Sequence, residues 1–261
     1  MAFATLVDRY VSGNSLLHRL DARVKLAMTL AFIFCAILTP TAGWYAFLAL
    51  GGLICVATWL ARLSPVLVVR RSLLALPFTL AAVPVIFNHP GPEVFTVPLF
   101  GWTATDEGLR ALASILLRSW LSILAATLLT ATTEAESILQ SLRAFGVPKL
   151  LVGTVSFMWR YIFVIVEETR RMIVARQARS ARPAGRLGGS LTWRARVAGS
   201  MVGTLFLRSL NRSERVYVAM LARGYNGEVK SLEQPLLHGR DYVALAVTLA
   251  AVLGIQAYAR I

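Results

Sequence analysis

The feature that most constrains this chain is a series of apolar runs, each long enough to cross a lipid bilayer. A spanning helix needs about 20 mainly apolar residues to cover the roughly 30 Å hydrocarbon layer. The chain has 261 residues, of which 57% are hydrophobic and 15% charged, whereas a soluble domain is typically about 25% charged. The sequence therefore predicts an all-α integral membrane protein and excludes a soluble globular domain. The five predicted spans are Val24–Thr39, Gly43–Ala61, Leu67–Asn88, Gly108–Thr130 and Tyr242–Ala259.

Charged residues are distributed unequally between the two sides of these spans. The N-terminal segment and the loop after the second span are basic, whereas the loop after the third span carries only acidic charges. Because loops rich in Lys and Arg stay in the cytoplasm, the N-terminus is predicted to be cytoplasmic. The basic residues are Arg9, Arg19, Arg23, Lys25, Arg62, Arg70 and Arg71, and the acidic ones are Glu93, Asp106 and Glu107.

A sixth apolar stretch, Leu150–Val166, leaves the number of spans open. If it crossed the membrane, the following block Arg170–Arg240, with its 14 Lys and Arg, would face outward against the positive-inside rule. We therefore expect it to lie along or dip into the inner interface, which gives about five spans with the C-terminus outside. Six spans is the alternative.

The predicted organisation has three parts. Residues 1–131 form an N-terminal membrane domain of four spans, residues 132–239 form cytoplasmic or interfacial helices, and residues 240–261 form the last membrane helix. In the middle part, Thr133 followed by Glu136 predicts a capping box for a short helix over Ala135–Phe145. Breaks at 146–148 and 182–189 separate this helix from two long amphipathic ones.

Each long helix carries an apolar stripe that leads to an arginine at its C-terminal end. The first continues from Leu150, and the second is predicted over Met201–Arg223, with Gly224 as the residue that ends it. A guanidinium at a helix C-terminus is stabilised by the helix dipole, and it can bind a carboxylate through two parallel hydrogen bonds. The alternative is that these arginines are membrane-surface anchors or solvated charges. The stripe residues are Ile162, Ile165, Thr169, Met172, Arg176 and Arg179 on the first helix, and Val202, Leu205, Phe206, Ser209, Ser213, Val216 and Met220 on the second.

Several short segments together carry the motifs of one family. They are Arg19–Lys25 (Arg-Leu-Asp-Ala-Arg-Val-Lys), Thr132-Thr133 with Gly146-Val147-Pro148, Arg160-Tyr161 with Glu167-Glu168, and Ala219–Tyr225 (Ala-Met-Leu-Ala-Arg-Gly-Tyr). In this combination the chain resembles the transmembrane T component of energy-coupling-factor (ECF) transporters, and more narrowly the cobalt transport protein CbiQ family. Ser180 stands where the first Ala-Arg-Gly signature has glycine, and Ala22 stands where the first-span motif has proline.

The resemblance implies a non-catalytic subunit of an ATP-binding-cassette importer in the bacterial cytoplasmic membrane. Such a subunit links a cytoplasmic ATPase dimer (CbiO-like) to a membrane substrate-binding subunit (CbiM-like), with a small accessory subunit (CbiN-like) as a further expected partner. ATP and Mg²⁺ would be bound by the ATPase, and this chain is expected to hold no cofactor. The resemblance favours cobalt as substrate and a place in cobalamin biosynthesis, with nickel or a vitamin as alternatives.

The same resemblance assigns the contact with the ATPases to the two Ala-Arg helix ends. Arg179 and Arg223 are the expected coupling arginines, and their small neighbours would let the backbone approach closely. Arg176 competes with Arg179 for the first position. The coupling residues are Ala178, Arg179, Ser180, Ala222, Arg223 and Gly224, with Arg176, Met220 and Tyr225 in support.

Other functions find less support in the residues. No Gly-x-x-x-x-Gly-Lys-Ser/Thr string is present, and the histidines, His18, His89 and His238, lie too far apart in the sequence for a predicted metal site. A membrane enzyme would have to use Asp21 or the Glu167-Glu168 pair as acid–base groups. A conventional ABC permease would dock through one coupling helix per chain, whereas this chain has two Ala-Arg endings. Arg118, inside the fourth span, is interpreted as a contact that holds helices together.

Overall fold

The computed structural model is almost entirely helical, and it describes residues 10–11, 13, 15–41, 43–73, 82–87, 92–97, 102–180, 190–227 and 238–259. Two compact units make up the chain: one comprises residues 1–141 with 235–261, and the other comprises residues 142–234. The helices are α1 (Ala22–Leu38), α2 (Trp44–Leu60), α3 (Pro65–Ser72), α4 (Asp106–Thr132), α5 (Ala135–Ala144), α6 (Lys149–Ser180), α7 (Leu191–Ala222) and α8 (Gly239–Tyr258). The predicted all-α class is confirmed.

One short hairpin interrupts the helical pattern, and the sequence did not predict it. Strands β1 (Glu93–Val97) and β2 (Trp102–Thr105) pair antiparallel within the loop predicted to face outward. Their β-branched and aromatic residues favour extended backbone. Before them, Val83–Phe87 forms a single 3-10 turn. The predicted third span, Leu67–Asn88, thus begins within α3 and ends near this turn, and its middle lies outside the described residues.

Three described helices meet the length and apolarity needed to cross a membrane: Asp106–Thr132, Lys149–Arg179 and Gly239–Tyr258. Helix α2 is a shorter apolar helix of 17 residues. The ambiguous stretch Leu150–Val166 is the first half of α6, which continues without a break for 32 residues. The choice between five and six spans stays a prediction, as does the division into three parts.

The core of the first unit lies where α1, α2, α4 and α8 pack together. Helix α1 packs against both α4 and α8, and α2 also packs against both of them. The side chains in this core are apolar, so their burial needs no hydrogen-bond partners. The buried cluster includes Phe32, Ala36, Phe47, Leu50, Ile54, Leu121, Leu128 and Val252.

Helices α1 and α4 each supply a cation to the C-terminal end of the other. Near the start of α1, the buried Lys25 Nζ donates to the Thr132 carbonyl at the end of α4, at 3.1 Å. From the middle of α4, Arg118 Nη2 donates to the Thr39 carbonyl just after α1, at 2.7 Å. Because the last carbonyls of a helix have no partner within it, both cations satisfy groups that would otherwise be orphaned. Arg118 therefore holds helices together, as its position predicted.

Helix α8 makes polar contacts with both ends of α1. At one end, the buried Asp241 carboxylate accepts the backbone N–H of Asp21 at 3.1 Å. At the other, the Gln256 side-chain amide donates to the Leu38 carbonyl at 3.0 Å. The Asp21 carboxylate in turn caps α1 by accepting the Arg23 N–H at 2.8 Å. These bonds fix the depth of α8 relative to α1, because each one joins a defined helix turn.

The predicted capping box at Thr133 is wrong. Thr133 follows the last residue of α4 in extended backbone, and α5 begins at Ala135, so Thr133 stands one residue too early to cap it. The Thr133 hydroxyl is buried and makes no hydrogen bond with the described part of the chain. At its other end, α5 ends at Ala144, just before the expected break at Gly146, which has a φ of +84°.

Candidate functional site

The end of α6 presents an arginine to solvent. Ala178 and Arg179 are exposed in the last turn of this helix, and Ser180 is its final residue. The Arg179 side chain makes no hydrogen bond or ion pair with the described residues, so its five donors remain available to a partner. Arg176, one turn earlier, is half-buried. The two candidates thus differ in exposure, and the more accessible guanidinium belongs to Arg179.

The end of α7 is built by a glycine in left-handed backbone. Gly224 has a φ of +80°, and its N–H donates to the Leu221 carbonyl at 2.9 Å. The Tyr225 N–H reaches back to the Met220 carbonyl at 3.0 Å, which completes a Schellman motif. The predicted role of Gly224 in ending this helix is confirmed.

The Schellman motif leaves Ala222, Arg223 and Gly224 exposed on the outside of the turn, whereas Met220 and Tyr225 are half-buried. A Cβ built on Gly224 would meet no atom within 4 Å, so packing does not require the glycine and its backbone stays open to an approaching surface. The Arg223 side chain, like that of Arg179, has no hydrogen-bond or charged partner in the described ranges.

Arg179 and Arg223 are both exposed, but the backbone differs between the two ends. Ser180 is still helical, whereas Arg223 is the cap residue and Gly224 already lies beyond its helix. The serine thus stands within regular helix, where glycine is not needed for a positive φ. The residues that follow Ser180, 181–189, fall outside the described part of the chain.

Helix α7 is longer than the sequence pattern predicted. It begins at Leu191, ten residues before the expected start at Met201, because Ser190 caps it by accepting the Trp193 N–H at 3.3 Å. The sequence signal for this start was present, since serine is a favoured N-cap residue and follows two glycines. Both long helices therefore have 32 residues.

The predicted apolar stripe of α7 is divided between two environments. Leu205, Val216 and Met220 are half-buried, whereas Val202 and Phe206 are 66% and 65% exposed. Among the further exposed apolar residues of this helix that were missed, Leu210 and Tyr217 lie on the same side, and Leu207, Val218 and Leu221 lie further round the helix. We call the exposed set, Val202, Phe206, Leu210 and Tyr217, the α7 outer face.

Helix α6 carries a regular apolar seam that is also exposed. Its residues recur at steps of four and three, the spacing of helices that pack along a shared seam. The seam continues the predicted Ile162 and Ile165 row towards the N-terminus of the helix, while Thr169 and Met172 further along are half-buried. The exposed members, which we call the α6 seam, are Leu151, Val155, Met158, Ile162 and Ile165.

The acidic residues considered as catalytic groups are engaged in polar contacts. Glu167 pairs with Arg171 one turn along α6, at 3.5 Å. Glu168 pairs instead with Arg208 of α7, a contact between residues 40 positions apart. In the described ranges no group of three His, Cys, Asp or Glu residues is placed to hold a metal ion.

Comparison with known proteins decides the family. The family CbiQ, described as "Cobalt transport protein", matches residues 13–234. The chain belongs to the CbiQ family. Its relatives include the energy-coupling factor transporter transmembrane protein EcfT of Brevibacillus brevis, 32% identical over 95% of each chain. EcfT of Bacillus subtilis is 28% identical over 87% of each chain, and an uncharacterised protein of Methanocaldococcus jannaschii is 25% identical over 94% of this chain and 84% of its own.

These matches make the chain a transmembrane component of an ECF-type transporter, and they extend over nearly its whole length. The matched CbiQ region contains both long helices with their exposed arginines, so the candidate site lies within the part of the chain that defines the family. The family resemblance inferred from the sequence motifs is confirmed.

Proposed function

We propose that this chain is the non-catalytic coupling subunit of an importer, and that Arg179 and Arg223 bind the cytoplasmic ATPases. The observation that carries this proposal is the pair of exposed guanidinium groups, each at the C-terminal end of a 32-residue helix and without a charged partner among the described residues. In a pair of related ATPase subunits, two such ends would occupy equivalent sockets.

By a socket we mean the groove on an ATPase subunit that receives one helix end. Each socket must be chemically complementary to a guanidinium group. Its planar fork suits a carboxylate, with which it forms two parallel charge-assisted hydrogen bonds. The helix dipole favours the cation where it stands, and the open backbone at Gly224 allows close approach. We therefore expect an acidic groove on each ATPase subunit, of the CbiO-like class. ATP and Mg²⁺ would be bound there, and this chain would need no cofactor.

The α6 seam and the α7 outer face provide the surfaces for the membrane partners. Apolar residues that remain exposed along two long helices are suited to contact with an apolar protein surface rather than with water. We assign them to a substrate-binding subunit embedded in the membrane, CbiM-like, with a CbiN-like accessory subunit as a second partner. Closure of the ATPase pair would shift the helix ends, and the helices would carry that shift to the substrate-binding subunit as a rigid-body movement.

The substrate we propose is a transition-metal ion, with cobalt first. The description of the matched family as a cobalt transport protein supports it, and uptake would then serve cobalamin biosynthesis. Nickel or a vitamin is the alternative, since the names of the EcfT relatives specify no substrate. We place the subunit in the bacterial cytoplasmic membrane as a multi-pass protein with a cytoplasmic N-terminus.

The test is a pull-down from detergent-solubilised membranes, with the co-purifying chains identified by mass. Wild type should retain an ATPase and a small membrane protein, and the double variant Arg179→Glu with Arg223→Glu should lose the ATPase alone. Arg196→Glu is the matched control, because Arg196 is an exposed arginine on α7 far from its C-terminal end. Retention of the ATPase by the double variant would show that these arginines do not dock it. The membrane protein retained by wild type would identify the substrate.

A further inference from the structure

Near their midpoints, α6 and α7 are joined by an ion pair that lies away from both docking arginines. Glu168 of α6 accepts a hydrogen bond from Arg208 Nη1 of α7. Glu168 lies eleven residues before Arg179, about 16 Å along the helix, and Arg208 lies fifteen residues before Arg223, about 22 Å along the helix, at a rise of 1.5 Å per residue. The contact thus stands at a central point of each helix.

The pair differs from the adjacent ion pair of α6 in what it joins. Glu167, the adjacent carboxylate, pairs with Arg171 within the same helix, and that contact cannot hold one helix against another. The Glu168 side chain is also better covered, 22% exposed against 57% for Glu167, whereas the Arg208 side chain is 58% exposed. A carboxylate that is partly shielded from water is screened less by salt than a fully exposed one.

We propose that Glu168 and Arg208 are positioning residues that join α6 and α7 near their midpoints, so that a movement of one arginine end is transmitted to the other. This inference rests on the proposed function, since it describes how movement at one ATPase socket reaches the other. This charged contact near both midpoints acts as a pivot: it restricts the spacing of the helix ends while the pair is intact, and the ends move independently when it is broken.

The geometric part is tested on the isolated chain by distance measurements between spin labels. The labels are attached through Val174→Cys and Val218→Cys, two exposed positions near the ends of α6 and α7, in a chain with Cys35→Ala and Cys55→Ala. We expect Glu168→Gln and Arg208→Gln each to broaden the distance distribution. The exchanged pair, Glu168→Arg with Arg208→Glu, should restore the narrow one.

Glu167→Gln is the matched control, because it removes a neighbouring carboxylate whose partner lies on the same helix. It should leave the distribution unchanged. A distribution for Glu168→Gln no broader than that of Glu167→Gln would overturn the proposal, as would an exchanged pair that stays as broad as the single variants.

The functional part is tested in vesicles that contain the complete transporter, with transport and ATP hydrolysis measured together. In Glu168→Gln the amount of bound ATPase should stay unchanged while substrate moved per ATP falls at least about two-fold, the lower end of coupling for residues in contact. The exchanged pair should recover the lost transport. An unchanged ratio in Glu168→Gln would contradict the positioning role.

The two proposals fail in different ways. Suppose that Glu168→Gln broadens the distance distribution but the ATPase stays bound to the variant Arg179→Glu with Arg223→Glu. The docking role is then wrong, and the positioning role of Glu168 and Arg208 stands. If the ATPase is lost there but Glu168→Gln keeps both the narrow distribution and the transport ratio, docking stands and the pivot is wrong.

Discussion

Replacing Arg118 with leucine should destabilise the membrane bundle, although leucine is far better tolerated in lipid. Arg118 Nη2 donates to the Thr39 carbonyl at 2.7 Å, and this carbonyl lies at the C-terminal end of α1. A hydrogen bond that involves a charged group contributes about 1.5–3 kcal/mol, and its loss also leaves the carbonyl without that partner. We expect the free energy of unfolding to fall by about 2 kcal/mol.

The neighbouring bonds show why the loss is not easily repaired. Gln256 already uses its amide to donate to the Leu38 carbonyl at 3.0 Å, and the Thr39 hydroxyl donates to the Cys35 carbonyl at 2.8 Å. Both groups are therefore committed to other atoms at the end of α1. Water entering in place of the guanidinium would restore a hydrogen bond but not the cation that the helix dipole favours.

The assay is thermal unfolding of the purified chain in detergent. The quantity measured at each temperature is the fraction of the protein that stays monodisperse. A loss of about 2 kcal/mol corresponds to a midpoint roughly 4–8 °C lower for a protein of this size. Arg110→Leu is the matched control on the same helix, since the Arg110 side chain is 64% exposed and its one partner among the described residues is Asp106, one turn away. Such surface pairs contribute about 0–1 kcal/mol. Equal midpoints for the two variants would refute the role of Arg118 as a cap of α1.

Four further substitutions test other parts of the structure in the same assay. Gly108→Ala should lower the midpoint strongly, because the added Cβ would lie 2.3 Å from the Ile86 carbonyl oxygen; a midpoint equal to wild type would contradict this packing. Gly224→Ala should cost about 1 kcal/mol, since its φ of +80° strains any Cβ, whereas Gly203→Ala should stabilise by up to about 1 kcal/mol as a helical position in open space. We therefore predict that Gly224→Ala lowers the midpoint and Gly203→Ala raises it, and two decreases of equal size would refute this. Lys25→Met should cost about 3–5 kcal/mol, because two buried carboxylates near it lose their cation; a loss below that of Arg110→Leu would count against the buried cluster.

Most of the fold was predictable because hydrophobic runs and breaks dominate this sequence. The spans around α1, α2, α4 and α8 follow from apolar length alone, and Gly224 marks the end of α7 because few other residues adopt a positive φ. The hairpin over 93–105 was not predicted, since short extended segments give a weak pattern in a loop. The start of α7 was missed for another reason: the stripe begins at Met201, but the helix begins where Ser190 caps it.

The candidate site was predictable in its residues but not in its contacts. The exposure of Arg179 and Arg223 follows from their positions after amphipathic stripes. The division of the α7 stripe into half-buried and outer residues depends on what packs beside it, which periodicity alone does not specify. The pair Glu168–Arg208 spans 40 residues and two helices, and no local spacing rule connects them. A one-residue offset also misplaced the cap of α5, because Thr133 and Glu134 both precede that helix.

The binding affinity of the purified ATPase dimer for this chain in detergent tests the central claim most directly. Wild type should be compared with Arg179→Glu, Arg223→Glu and the double variant. Truncating one partner of a buried charge pair costs about 2–5 kcal/mol, so each single variant should bind at least about 30-fold more weakly. The double variant should show no binding at concentrations where wild type is saturated. A double variant that binds with wild-type affinity would contradict the assignment of these two arginines as the coupling residues.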